Sequence, residues 1–230
     1  MFKNKTTYSF ILFLTAFISV GNAQQVYIEA GVENAYFKNY VNNLGGNTLD
    51  LNYAKSEDLF LESGLRANFF TDRFQGEVGA SYNKYIINTG FYVGNNPQSI
   101  PLRYNLTYIG VKTGLNFAVL NDAFFKIKVH ANISFDYLTK ATSAYQNVVN
   151  DLITDNTYDR TLLRYHRGLS AEYFISDNLS TYIKYNIADS FIEKNQDSNI
   201  GEQYSLHTNA FSFGLLFSIN GSNNRCYGSF

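Results

Sequence analysis

From Phe125 to Tyr137 the chain reads Phe-Lys-Ile-Lys-Val-His-Ala-Asn-Ile-Ser-Phe-Asp-Tyr. Every odd position is apolar or aromatic, and every even position is polar or charged. Side chains alternate across an extended strand, so this stretch is a ribbon with one apolar and one polar face. It is longer than the five or six residues of a typical strand, and long enough for the roughly 9–11 residues that a tilted strand needs to cross a bilayer.

Outward from this ribbon the same period recurs seven times, and period-two alternation is the primary strand signal. The first strand, about 25–37, sets Val26, Ile28, Ala30 and Val32 against Glu29, Gly31 and Glu33. The second, about 57–70, sets Leu59, Leu61, Leu65, Ala67 and Phe69 against Glu62, Gly64, Arg66 and Asn68. The third, about 73–87, sets Phe74, Val78, Ala80 and Tyr82 against Gln75, Glu77, Ser81 and Asn83. The fourth, about 102–119, holds Ile109, Val111, Leu115 and Phe117 against Lys112 and Asn116. The ribbon is the fifth. The sixth, about 160–174, sets Leu163, Tyr165, Leu169, Ala171 and Tyr173 against Arg164, His166, Ser170 and Glu172. The seventh, about 179–191, and the eighth, about 204–219, repeat the pattern around Lys184 and Ser212.

Ahead of the strands, Lys3 and Lys5 precede the uncharged apolar run Phe10 to Val20, and Gly21-Asn22-Ala23 offers a small-residue cleavage site. Residues 1–23 therefore read as a cleavable signal peptide, 24–219 as the folded domain and 220–230 as a tail. No second apolar run reaches the length of a transmembrane helix. Without Lys3 and Lys5, 16 basic residues face 19 acidic ones, so there is no basic footprint for nucleic acid. The single Cys, Cys226, allows no internal disulfide. Tyr and Phe dominate an aromatic content of 17%. The mean hydropathy is slightly negative, as expected where half of each membrane strand is polar.

The connections fall into two classes. Thr71-Asp72, Leu120-Asn121-Asp122 and Ser176-Asp177-Asn178 are tight turns rich in turn-forming Asp and Asn. The segments 38–56, 88–101, 139–159 and 192–203 read as long polar loops. Long and short alternate, as in an up-and-down barrel with long loops outside and short turns at the periplasmic rim. Aromatic residues fall at both ends of the apolar faces. Phe69, Phe74, Phe117, Phe125, Tyr173 and Phe217 lie near the turns, and Tyr36, Tyr82, Tyr104, Phe135, Tyr137, Tyr165 and Tyr185 near the loops. Two interfacial girdles are the expectation. Two positions break the pattern. Leu102, Tyr104, Leu106 and Tyr108 share a parity that Ile109 onward abandons, which predicts a bulge near Tyr108. Arg167 falls on the lipid parity, which predicts that it snorkels to the outer interface or is turned inward by a bulge.

With the signal ending Gly21-Asn22-Ala23, eight ribbons, alternating loops and the last strand Asn209 to Phe217, the chain resembles small bacterial outer-membrane barrels. It is similar to the OmpA/OmpX-like families, in the Asn- and Tyr-rich form common in Bacteroidetes. The resemblance implies an all-β fold: an eight-stranded antiparallel up-and-down transmembrane β-barrel. It also implies outer-membrane lipid and the barrel-assembly machinery as partners. Such barrels end on a terminal aromatic residue, whereas this chain continues past Ile219 to Phe230, leaving Phe217 and Phe230 both open for that role.

An eight-stranded lumen is just wide enough to be filled by side chains. Glu29, Glu33, Glu62 and Glu77 lie on the inward parity of the first three strands. Lys112, Lys126, Lys128, His130, Arg164, His166 and Lys184 lie on that of the fourth to seventh, with Arg66, Asp136 and Glu172 as exceptions. The expectation is an acidic wall paired with a basic wall across the lumen. No catalytic, cofactor or metal signature is present, and the chain reads as a non-enzyme. His130, His166, Ser170 and Glu172 form the one set suggestive of a lipid-modifying enzyme, but His166 and Ser170 stand too far apart on one strand for contact. The expected role is structural or interactive, through the loops and a surface or periplasmic protein partner. A narrow or gated pore is the alternative.

Overall fold

A computed structural model describes residues 24–41, 56–69, 71–91, 100–145, 148–154, 160–191 and 203–219. The expected signal peptide, the 220–230 tail with Cys226, and the tips of the first, second and fourth loops lie outside the described residues. The described residues form nine strands: β1 Gln24–Val41, β2 Glu57–Phe69, β3 Thr71–Phe91, β4 Ile100–Asn121, β5 Phe125–Tyr145, β6 Val148–Asp151, β7 Thr161–Phe174, β8 Leu179–Ser190 and β9 Gln203–Ser218. All pairings are antiparallel, and eight strands close a ring in the order β1-β2-β3-β4-β5-β7-β8-β9, with β9 returning to β1. Closure leaves no sheet edge in the ring, which is what lets strands cross a bilayer.

The tight turns β2–β3, β4–β5 and β7–β8 share one rim with the start of β1 and the end of β9, where Gln24 pairs with Ala67 and Gln25 with Ser218. The wall is inverted relative to a soluble protein. Leu59, Leu61, Ile109, Val111, Leu115, Ile133, Leu169, Phe211 and Phe213 are exposed, whereas Glu29, Glu77, Lys112, Lys128 and Arg164 are buried. Phe74, Tyr173 and Phe217 stand exposed near the rim of short turns, and Tyr82, Phe135, Tyr137, Tyr165 and Tyr185 near the other.

The fourth strand requires a correction. The register of β4 with β5 does shift between Thr107 and Tyr108, but the extra residue belongs to β5: Thr107 pairs with Lys140 and Tyr108 with Leu138, leaving Thr139 over. β4 keeps its phase, so Tyr104, Leu106 and Tyr108 are buried inside, and Tyr104 is no girdle residue. The reason is depth. Past Ile109 the outward residues are Thr107, Asn105 and Arg103. The strand has left the apolar band, and the ordinary pattern of apolar inside and polar outside returns. The parity changes because the solvent changes.

The third expected loop is corrected likewise. Over the described residues 139–145 and 148–154 the chain is not a polar loop: β5 continues past its last β7 pair, Tyr137 with Thr161, and β6 pairs back on it; 146–147 and 155–159 lie outside the described residues. β3, β4, β5 and β6 thus project as a sheet beyond the β7–β9 side of the barrel.

Candidate functional site

The interior is built in three layers. At the short-turn end, Tyr27, Tyr182 and Leu216 cluster. Tyr27 and Tyr182 come from the inward parity of β1 and β8, and they sandwich Arg66, whose Cζ lies 4.7 and 4.6 Å from the two ring centroids. Cation–π contacts of this kind favour a cation out of water. The rings fit only because glycine faces them: a Cβ on Gly79 would stand 2.2 Å from the Tyr27 hydroxyl, and one on Gly214 2.2 Å from Tyr182 Cζ.

The middle layer holds the charges. Glu77 accepts from Arg66 Nε at 2.7 Å, Asn132 Nδ2 at 3.0 Å and Asn116 Nδ2 at 3.2 Å, with Lys112 Nζ at 3.5 Å. Glu62 accepts from Lys112 Nζ at 2.5 Å and the Tyr27 hydroxyl at 2.6 Å. Glu29 accepts from Ser212 Oγ at 2.7 Å, the Tyr182 hydroxyl at 2.8 Å and Lys184 Nζ at 3.1 Å. Glu62–Lys112 and Glu29–Lys184 each link strands two apart in the ring, Lys112–Glu77 links the neighbours β4 and β3, and Arg66–Glu77 links the neighbours β2 and β3. The remaining pairs are local to the basic half. Lys128 bonds Glu172 and also Gln75, and Arg164 bonds Asp136 at 2.6 Å while reaching the Tyr85 hydroxyl at 2.5 Å. Lys126 Nζ lies 5.2 Å from the Phe174 ring centroid. Glu29 thus pairs with Lys184, and Glu62 and Glu77 with Lys112, between strands one or two apart in the ring, whereas Lys128 and Arg164 pair with Glu172 and Asp136. Glu33 is the outlier: it is buried, and its Oε1 has no hydrogen-bond partner among the described residues.

His130 and His166 share Asn186. His130 Nε2 lies 3.1 Å from Asn186 Oδ1, and Asn186 Nδ2 lies 3.1 Å from His166 Nδ1. His166 Nε2 then meets Ser134 Oγ at 2.8 Å, and Ser134 donates to Asp136 Oδ2 at 2.9 Å. With Asn186 in this orientation its amide N–H occupies the Nδ1 lone pair of His166. The Nε2–H then donates to Ser134, and the serine proton points to Asp136. A serine nucleophile needs the opposite polarity, with its proton aimed at the histidine. The hydroxyl beside His166 is Ser134 on β5, not Ser170. Among the described residues no group of three or more His, Cys, Asp or Glu could hold a metal.

Above the charges lies an apolar layer of Phe37, Tyr85, Ile87, Tyr104, Leu106, Tyr108, Leu138 and Leu162, closed over by Leu152 from the end of β6. Among the charged side chains sits a space of about 20 Å³, bordered by Glu29, Glu33, Glu62, Lys112, Arg164 and Lys184. That is room for one water and not for a solute.

A second cluster lies outside the barrel, toward the rim of long connections. Tyr165, Asp189, His207 and Tyr36 stand in direct register on β7, β8, β9 and β1. Asp189 meets His207 Nδ1 at 2.5 Å, Arg167 at 3.2 Å and Lys38 at 3.6 Å. Arg167 stays on the outer face without a bulge, its Cζ 5.5 Å from the Tyr165 ring centroid. The sequence offered the parity of these residues but not their convergence, which depends on strand order.

No family model matches the sequence, and no curated protein matches it. Solved structures similar in fold include a major outer membrane protein of Thermus thermophilus, at 9% identity and a TM-score of 0.49, covering 85% of this chain and 98% of that one. Neisserial surface protein A is similar at 9% identity and a TM-score of 0.46, covering 84% of this chain and 96% of that one. The attachment invasion locus protein Ail of Yersinia pestis is similar at 13% identity and a TM-score of 0.39, covering 84% and 98%. These are small outer-membrane barrels. The eight-strand closure of the present chain rests on its own backbone register.

Proposed function

We propose that this chain is an integral barrel of the bacterial outer membrane, and that it acts by surface contact or by supporting an envelope assembly rather than by passing solutes. The observation that carries this reading is the contrast between the two ends of β5. Within the wall its polar face is locked into a filled lumen. Beyond the wall it supports β6, where Val148 and Val149 are exposed at 55% and 66%. Apolar side chains presented in water on a strand paired to β5 favour contact with another macromolecule. A pore would have to move both the apolar layer and the ion pairs beneath it. An acyl-transfer role would have to reverse the Ser134–His166 polarity.

The test places a photo-crosslinking residue at Val149 of the whole chain in cells, with one at lipid-facing Leu115 as control. A discrete protein adduct from Val149, absent at Leu115 and lost in Val148→Asp with Val149→Asp, is the expected result. Identical adducts from both positions, or none from Val149, would sink the proposal.

A further inference from the structure

We infer that the outer cluster of Lys38, Arg167, His207 and Asp189 binds a phosphate carried on a membrane lipid. This rests on the outer-membrane reading above. All four side chains are on the outward parity of β1, β7, β9 and β8; Lys38 and Arg167 are open to whatever surrounds the barrel, while Asp189 and His207 are buried among their neighbours on that face. A cation on that face is costly at mid-depth and cheap near an interface, so charges here mark headgroup depth. The aromatic neighbours agree. Tyr165 lies beside the Arg167 guanidinium, and the tilted ring of Tyr36 lies against His207 with ring centroids 4.7 Å apart; tyrosines are enriched at such interfaces.

The charges do not balance. Among the described residues one carboxylate faces two cations and a histidine, so this cluster of side chains is net positive. By register, Lys38 pairs with Ser205 one step above the Asp189 row, and Arg167 with Ile187 one step below it. Their tips nevertheless meet the two different oxygens of Asp189. Half of each long side chain remains open, 50% for Lys38 and 53% for Arg167. Two half-open cations held a carboxylate apart leave their free donors to an anion from outside, and guanidinium and ammonium groups both suit phosphate. A lipid is the source because the patch sits on the wall that the bilayer covers. A second copy of this chain fits poorly, since a two-fold contact would set the same positive excess against itself.

The experiment inserts the full chain into phosphatidylcholine vesicles with and without phosphatidic acid and counts retained phosphatidic acid by native mass spectrometry. Heat-modifiable mobility on gels reports insertion separately. Wild type retains phosphatidic acid, and inorganic phosphate does not displace it. Lys38→Gln and Arg167→Gln each lower retention about fivefold. Lys84→Gln, an outward lysine of β3 away from the cluster, leaves retention unchanged. Asp189→Asn keeps both cations and raises retention. The inference is overturned if the Gln variants retain as wild type does, if Lys84→Gln loses as much, if Asp189→Asn abolishes retention, or if inorganic phosphate competes. It is also overturned if the Gln variants change oligomeric state instead, because the patch then joins copies of the chain. Failure to insert into any vesicle would overturn the membrane reading together with this one. Insertion without headgroup preference would overturn this one alone.

Discussion

Glu77 has four groups of the interior directed at it, from β2, β4 and β5, so its loss is felt across the lumen. Glu77→Ala leaves Arg66 buried without its ion-pair partner, and removing one member of a buried pair costs about 3–5 kcal/mol. Urea unfolding of the vesicle-inserted barrel should show that loss. Arg66→Met with Glu77→Leu should recover much of it, since no charge is then stranded. The inward identity of these residues was legible from parity alone. Their partners were not, because partnership depends on register and on which strands face each other. Lys128 lies on the parity that suggests a reach to β1–β3, yet its carboxylate is Glu172, which is bonded beside it from the adjacent β7. Tyr27 and Tyr182 stood in plain view on the polar parity, but without a strand order nothing said that both would close on Arg66.

The strand elements were legible where the environment is uniform and misleading where it changes. The ribbon from Phe125 to Tyr137 reads the same from sequence and structure because its whole outer face meets one apolar medium. β4 crosses from that medium into water, and the reversal of its pattern at Tyr108 imitates a bulge. β6 escaped notice because Val148-Val149-Asn150-Asp151 is too short to show a period. Its turn is held by Asp151, whose carboxylate accepts from the backbone N–H of Ile153 at 2.9 Å and of Thr154 at 3.4 Å. Those donors hold the Asp151 carboxyl below the ordinary aspartate range. The sign follows: a depressed value means the turn's contribution is complete at neutral pH and is lost only as pH falls below that range. Amide exchange at Ile153 and Thr154 should therefore stay slow in mildly acidic buffer and quicken in strongly acidic buffer. Asp151→Asn, which accepts the same bonds without titrating, serves as the reference.

For the molecule as a whole, two closed layers in series predict electrical silence. Planar bilayers containing the wild-type barrel should record baseline current, and steady unitary steps would show that the layers open. The ring closes where β1 meets β9, and Glu29 is placed at that seam. Its partners Tyr182, Lys184 and Ser212 lie more than 150 positions away along the chain. None of them can be reached until the last strand docks on the first. Contacts of such long sequence separation form late, because the loop between them must be closed first. Glu29 thus acts as a latch in time: it contributes nothing to the open sheet and holds the finished barrel shut. Glu29→Gln should speed unfolding severalfold while leaving the folding rate nearly unchanged, in the manner of a residue silent in the transition state. Durability, on this account, is written into the final step of assembly.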